Sequence, residues 1–211
     1  MEDEIREEIK REMVDFARLM YERKLTVSSD GNLSVKMGGG QLLITPDFCC
    51  FGTVLESDLV KIDFFGNVLE GSKPPSSEFR MHVEVYKRRK DVGAVVHTHS
   101  PYATAFSAAD AEIEPILSDL AVFRGVVPKT TYAPPHTAEI AHAISHLVED
   151  HDAILLRNHG ALTVGATLEA AYLNAERLEF ISQVTAIARQ IGTLRKLSAE
   201  QLARLDAILR G

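Results

Sequence analysis

The chain has 211 residues, 45% of them apolar and 25% charged, enough to bury one full core without division into two domains. Its formal charge of −7 excludes the basic field that a nucleic-acid groove needs, and no apolar run approaches the roughly 20 residues of a membrane span. The adjacent Cys49 and Cys50 cannot form a disulfide framework and the acidic N-terminus lacks the basic region of a signal peptide, so small-molecule chemistry in the cytoplasm is expected.

Ile5, Ile9, Met13, Phe16 and Met20 recur every three or four residues, which predicts an amphipathic helix from Glu2 to Lys24. Thr26 to Val35 is a loop rich in hydroxyls and amides that enters a strand at Leu33. Such a loop either cradles an anion with backbone N–H groups or is an ordinary turn. The glycines between Met37 and Gln41 place a hairpin turn between strands Leu33–Lys36 and Leu42–Thr45. Further strands are expected at Leu59–Asp63 and Asn67–Leu69. Pro74 and Pro75 then stop the sheet, and Ser76 and Ser77 are placed to cap a helix running through Arg89, with Phe79, Val83 and Tyr86 inward. Glu78 falls in its first turn, where the helix dipole favours a carboxylate whether or not it takes part in chemistry. His82, four residues on, shares that side, either orienting Glu78 or simply packed.

The apolar run Ala94–Val96 ends on His97-Thr98-His99, and in a strand a spacing of two turns both imidazoles to one face. A helix is expected from Pro101 to Ser107, and a strand from Val126 to Tyr132 after a turn at Gly125. Ile140, Ile144, Leu147 and Val148 form one face of a helix from Thr137 to Glu149. On it His142 and His146, lacking the glutamate of an HExxH motif, read as surface residues. The strand Ala153–Leu156 leads to Asn158-His159-Gly160, a third imidazole at the end of an apolar run, and Gly160–Gly165 returns. Leu168–Ile191 is a long helix, and Ser198 with Gln201 forms a capping box before the last one. Three neutral imidazoles, His97, His99 and His159, suit a catalytic zinc that keeps a fourth position open, with Glu78 as the remaining participant.

The ordered set Gly31-Asn32-Leu33-Ser34, Ile44-Thr45-Pro46, Lys73 to Glu78, His97-Thr98-His99-Ser100-Pro101 and Asn158-His159-Gly160 resembles the class II aldolase and adducin family. The likeness runs from about residue 5 to 192 and is strongest to the bacterial and archaeal L-fuculose-1-phosphate aldolases. It implies one three-layer α/β/α domain over residues 1–211 around a central, mostly antiparallel sheet, in a cyclic homotetramer with active sites between subunits. It also implies His97, His99 and His159 as zinc ligands and Glu78 as the acid/base that moves the proton of the retained three-carbon fragment. Zinc would stabilise an enediolate in place of a lysine Schiff base. The implied reaction is cleavage of a ketose 1-phosphate such as L-fuculose 1-phosphate into dihydroxyacetone phosphate and an aldehyde. A glutamate at 78 favours this over 4-epimerisation. A sugar-acid phosphate decarboxylase, dehydratase or epimerase of the same chemistry is the alternative. Adducin-like heads lack the metal histidines present here, which argues against a non-catalytic scaffold.

The resemblance further implies a phosphate pocket of Ser29, Gly31, Asn32, Ser76 and Ser77 with the two positions after Pro46. Relatives usually carry a small hydroxyl residue and a glycine at those two; this chain has Asp47 and Phe48. Asp47 would repel a phosphate and Phe48 would fill the space a glycine leaves, unless the loop shifts and turns Asp47 outward. The tyrosine that reaches from a neighbouring subunit in fuculose-phosphate aldolases aligns with about Ser118, with Tyr132 as either a substitute or a packed strand residue. His136 stands where relatives often have glycine.

Overall fold

The protein is described by a computed structural model covering residues 2–210 and the side chains of 4–208. Helix α1 (Glu2–Glu22) buries Met13, Ala17 and Met20 completely, as the three- and four-residue spacing requires. Strands β1 (Asn32–Met37) and β2 (Gln41–Ile44) form the expected hairpin, turned by Gly39 and Gly40 at positive φ. β3 (Val60–Asp63) and β4 (Val68–Glu70) follow. Then come α2 (Phe79–Arg88), β5 (Ala94–Thr98), α3 (Pro101–Ala108), a 3-10 turn at Ser118–Phe123 and α4 (Ala138–Ile144). β6 (Ala153–Leu156), β7 (Gly160–Gly165), α5 (Leu168–Ile191) and α6 (Ala199–Arg210) complete the described chain. The capping box is formed: the Ser198 N–H donates to Gln201 Oε1 and the Gln201 N–H to Ser198 Oγ.

The strands make one seven-stranded sheet in the order β4-β3-β2-β1-β5-β7-β6, each described neighbour pair antiparallel. Alternation of period two splits their side chains between two faces. Leu42, Ile44, Val95, Ile154 and Leu156 pack with Met81, Val85, Ile140 and Ile144 of α2 and α4. Leu33, Leu43, Ala94 and Val96 pack on the other side with Met13, Val14 and Ala17 of α1 and Leu168 and Ala171 of α5. Each such aliphatic side chain contributes about 1.5–3 kcal/mol when removed from water, so the two faces fix the register of every central strand. The result is the α/β/α sandwich that the resemblance implied.

Three local expectations differ. Val126–Tyr132 is not a strand: Pro128 has no N–H to donate, and among the described residues the segment makes one isolated parallel bridge, Lys129 to Leu155, along the outer edge of β6. α4 ends at Ile144, after which Ser145, Leu147 and Asp150 each donate to the carbonyl three residues back, and Leu147 and Val148 still pack on the same core. α2 begins at Phe79, so Glu78 is the residue before the first turn and no serine caps the helix. The Ser76 hydroxyl instead accepts from the Glu78 N–H at 3.3 Å.

Candidate active site and metal centre

The antiparallel pairing of β5 with β7 sets Thr98 opposite Ala161, and the imidazoles flank that pair. His97 is on β5. His99 lies just past its end, held by its N–H to the Leu25 carbonyl at 3.1 Å. His159 precedes β7, after Asn158 at φ 55. One ligating atom of each imidazole lies within 4.8 Å of the others, and the ring centroids are between 4.7 and 4.9 Å apart. Gly160 makes this approach feasible, because a Cβ there would meet the Thr98 carbonyl at 2.3 Å and ring carbons of His97 and His99 at 3.2 Å.

Glu78 reaches the cluster from the start of α2. Its Oε2 is 3.3 Å from His97 Nε2 and its Oε1 is 3.3 Å from His159 Nε2, so it belongs to the centre and is not a helix-end charge. Glu78 and His97 are buried. Burial alone would raise the Glu78 carboxyl, but the charge and hydrogen bond of His97, helped by His159 and Asn32, hold it well below the usual carboxylate range. His97 is raised in turn, Glu78 outweighing its burial. Burial, followed by the charge on His97, pushes His99 down to about 3 and His159 down to about 4. Both therefore stay neutral near pH 7, the state a metal ligand needs.

The donor set fits a divalent metal. The His97 Nδ1–H donates to the Ala161 carbonyl at 2.9 Å, which points Nε2 at Glu78 and at His99 Nε2, the latter also at 2.9 Å, and makes Nε2 the atom that would ligate a metal once it gives up its proton. A backbone acceptor behind a ring nitrogen is the usual way a metal-binding imidazole is oriented. Glu78 Oε1 and His159 Nδ1 are buried without a hydrogen-bond partner. Three nitrogens with a carboxylate beside them make a centre that can hold a metal and keep a position open.

A cleft of about 200 Å³ opens beside this centre, and Ser29, Gly31, Asn32, Ser76 and Ser77 all line it together with Glu78, His99 and His159. Three of the five are already engaged, Ser76 by the Glu78 N–H. Asn32 Nδ2 donates to Glu78 Oε2 at 2.9 Å, and the Ser77 hydroxyl donates to Asp47 Oδ1 at 3.0 Å. Asp47 lines the cleft and is not turned outward. His136 Nδ1 is 2.6 Å from Ser77 Oγ, and its φ of 63 is the left-handed conformation that glycine adopts freely. Phe48, also left-handed at φ 51, stands 82% exposed at the cleft.

Other residues fall elsewhere. Tyr132 is exposed beside Ala138 and His142, away from the cleft lining, and Ser118 is exposed on the 3-10 turn. His142 and His146 are on the surface, as expected. Sequence reasoning missed Asp30, whose Oδ2 is 3.9 Å from His99 Nδ1, and the Ala161 carbonyl, which no side-chain pattern could reveal.

Residues 11–186 match the family described as Class II Aldolase and Adducin N-terminal domain. The L-fuculose phosphate aldolase of Methanococcus maripaludis strain C5 is 37% identical over 179 residues, covering 85% of this chain and 96% of that protein. The 3-oxo-tetronate 4-phosphate decarboxylase of Pectobacterium atrosepticum is 32% identical over 200 residues, covering 92% and 91%. A solved structure of an L-fuculose 1-phosphate aldolase superposes with a TM-score of 0.91 at 31% identity, covering 97% of each chain. Likeness of this extent, in sequence and in fold alike, means that the chain belongs to the class II aldolase and adducin family.

Proposed function

We propose that the protein is a zinc-dependent aldolase that reversibly cleaves a ketose 1-phosphate, such as L-fuculose 1-phosphate, into dihydroxyacetone phosphate and an aldehyde, with a weakened dependence on the phosphate. The observation that carries this reading is a single buried carboxylate, Glu78, within 3.3 Å of two of three converging imidazoles. His97, His99 and His159 would hold the ion, and when bound it supplies Lewis-acid polarisation of substrate oxygens. Cleavage breaks the C3–C4 bond and leaves its electron pair on the three-carbon fragment. That carbon then needs a proton, while the C4 hydroxyl gives one up to become the aldehyde carbonyl. Glu78, ionised at rest, takes up the proton released by the C4 hydroxyl and delivers it to C3 in cleavage, with the reverse in synthesis, and Oε1, free of any hydrogen-bond partner, is the atom available for it. The depressed Glu78 carboxyl makes the ionised base its resting form.

Asp47 supports the weakened phosphate dependence. Its carboxylate takes up the Ser77 hydroxyl and puts a negative charge on the wall where relatives have a neutral residue. Exchanging Asp47→Ser with Phe48→Gly is expected to raise kcat/KM for the phosphorylated ketose about tenfold, equivalent to about 1.4 kcal/mol. No gain in that double variant would count against the reading.

Similarity to a 3-oxo-tetronate 4-phosphate decarboxylase supports a second reading, in which loss of carbon dioxide leaves a comparable carbanionic fragment for Glu78 to protonate. One experiment separates the two. Zinc-loaded protein is expected to release dihydroxyacetone phosphate from L-fuculose 1-phosphate, and His97→Ala to release none. Carbon dioxide from a 3-keto acid phosphate, with no aldol cleavage, would transfer the assignment to the decarboxylase.

The free, adjacent Cys49 and Cys50 suit a reducing compartment such as the cytoplasm. The family resemblance supports a homotetramer, and the exposed Leu173, Phe180, Ile187 and Ile191 of α5 offer apolar surface for its contacts.

A further inference from the structure

From Asn32 and Glu78 at the cleft wall, a chain of polar side chains runs inward through the packing between α2 and β1. Asn32 and Ser34 are two apart on β1 and share one face of the sheet. Glu78, just before α2, and His82 and Tyr86 on it are four apart and turn to the same inner side. Where the two elements meet, these side chains interleave. Asn32 Nδ2 donates to Glu78 Oε2 at 2.9 Å, and His82 Nε2 lies 2.5 Å from Asn32 Oδ1. Ser34 Oγ lies 2.7 Å from both His82 Nδ1 and the Tyr86 hydroxyl. All five residues are buried, Ser34 and His82 with no exposed surface at all.

The carboxylate dictates every proton position in this array. Glu78 can only accept, so the Asn32 amide must turn its NH2 to Glu78 and its oxygen to His82. His82 Nε2 therefore donates and Nδ1 accepts, which makes the Ser34 hydroxyl the donor to Nδ1. Tyr86 donates in turn to Ser34, whose carbonyl also lies 3.0 Å from the phenol. Reversing any one member would set two donors or two acceptors face to face among buried side chains. Burial, with the charge on His97 acting the same way, pushes His82 down to about 3, so the neutral imidazole that the array needs is the form present.

We propose that His82 is a positioning residue for the reaction: backed by Ser34 and Tyr86, it locks the Asn32 amide, which binds Glu78 Oε2 and leaves Oε1, unpaired beside His159, as the oxygen free to carry the proton. This rests on the reading of Glu78 as the acid/base. An amide does not hand protons along a chain, so the array orients and does not conduct. A carboxylate freed from it would rotate away from the line of proton transfer, and the effect would fall on kcat and not on substrate binding.

In the metal-loaded full chain, His82→Leu is expected to lower kcat about 10- to 100-fold with KM within about twofold and metal content unchanged. His82→Gln, whose amide can still donate to Asn32, is expected to recover most of that loss. In a Glu78→Gln background, His82→Leu is expected to add nothing, because the residue it positions is already gone. A kcat for His82→Leu within about threefold of the parent, or equal losses in the Leu and Gln variants, would overturn the proposal. A parent-level rate in Glu78→Gln would instead remove the acid/base reading, and the proposal with it. The tautomer can be read without any variant: nitrogen-15 spectra of the parent should show His82 protonated on Nε2 from about pH 5 to pH 9. Protonation on Nδ1 would overturn the proposal even if His82→Leu did not fold.

Discussion

A buried imidazole that must stay neutral makes a protein sensitive to acid. Burial first, and His97 second, push His82 from 6.5 down to about 3. Below 6.5 the unfolded chain takes up a proton that the folded chain refuses until about 3. Stability therefore falls as the pH falls through that window, by up to about 1.4 kcal/mol per pH unit from this one residue. His82→Gln is expected to flatten the acid slope in urea unfolding of the metal-free protein, and an unchanged slope would contradict the burial and tautomer assigned to His82. At this scale the sequence showed the three metal-site histidines clearly, because each ends or follows an apolar strand beside a small or hydroxyl residue. It left His82 undecided, since a spacing of four gives the side of a helix and not its depth, and the partner Asn32 is 50 residues away. The anomaly at Asp47 was also legible, but its direction was not. That depends on the Ser77 hydroxyl across the loop, which no local pattern encodes.

Elements hold the site as firmly as single residues do. Glu179 of α5 accepts hydrogen bonds from the backbone N–H groups of Tyr102 and Ala103, closing the N-terminus of α3 immediately after the loop that carries His99. A carboxylate there satisfies two donors that the helix cannot pair and complements its dipole. Glu179→Ala is expected to cost about 1.5–3 kcal/mol, lowering Tm by roughly 3–12 °C in a chain of this size. A Tm within about a degree of the parent would show that α3 does not need this bond. Both helices were expected from the sequence, and the β1–β2 hairpin from its run of glycines. Their pairing through Glu179 was not, because the carboxylate lies on a helix far along the chain and looks like any surface charge. Val126–Tyr132 misled for the opposite reason. Its apolar and β-branched residues suit a strand, but Pro128 and the short contact with the edge of β6 leave it a single bridge.

In the whole molecule, the strand order β1-β5-β7 sets Asn32 opposite His97 and Thr98 opposite Ala161, so the segments bearing Asn32, His97, His99 and His159 end at one edge of the sandwich. The layers were expected through the family resemblance. The order of the strands was not, since pairings between distant segments leave no local mark, and the convergence of the histidines was expected mainly through the family resemblance. The central claim is that Glu78, beside a metal held by three histidines, moves a proton on carbon. Exchange of solvent deuterium into C3 of dihydroxyacetone phosphate, with no aldehyde present, isolates that step from every question about the natural substrate. Metal-loaded protein should incorporate deuterium at one of the two C3 positions, and Glu78→Gln, with its metal retained, should lose at least about 100-fold of that rate. Exchange at the parent rate in Glu78→Gln, or none in the metal-replete parent with either dihydroxyacetone phosphate or dihydroxyacetone, would contradict the claim.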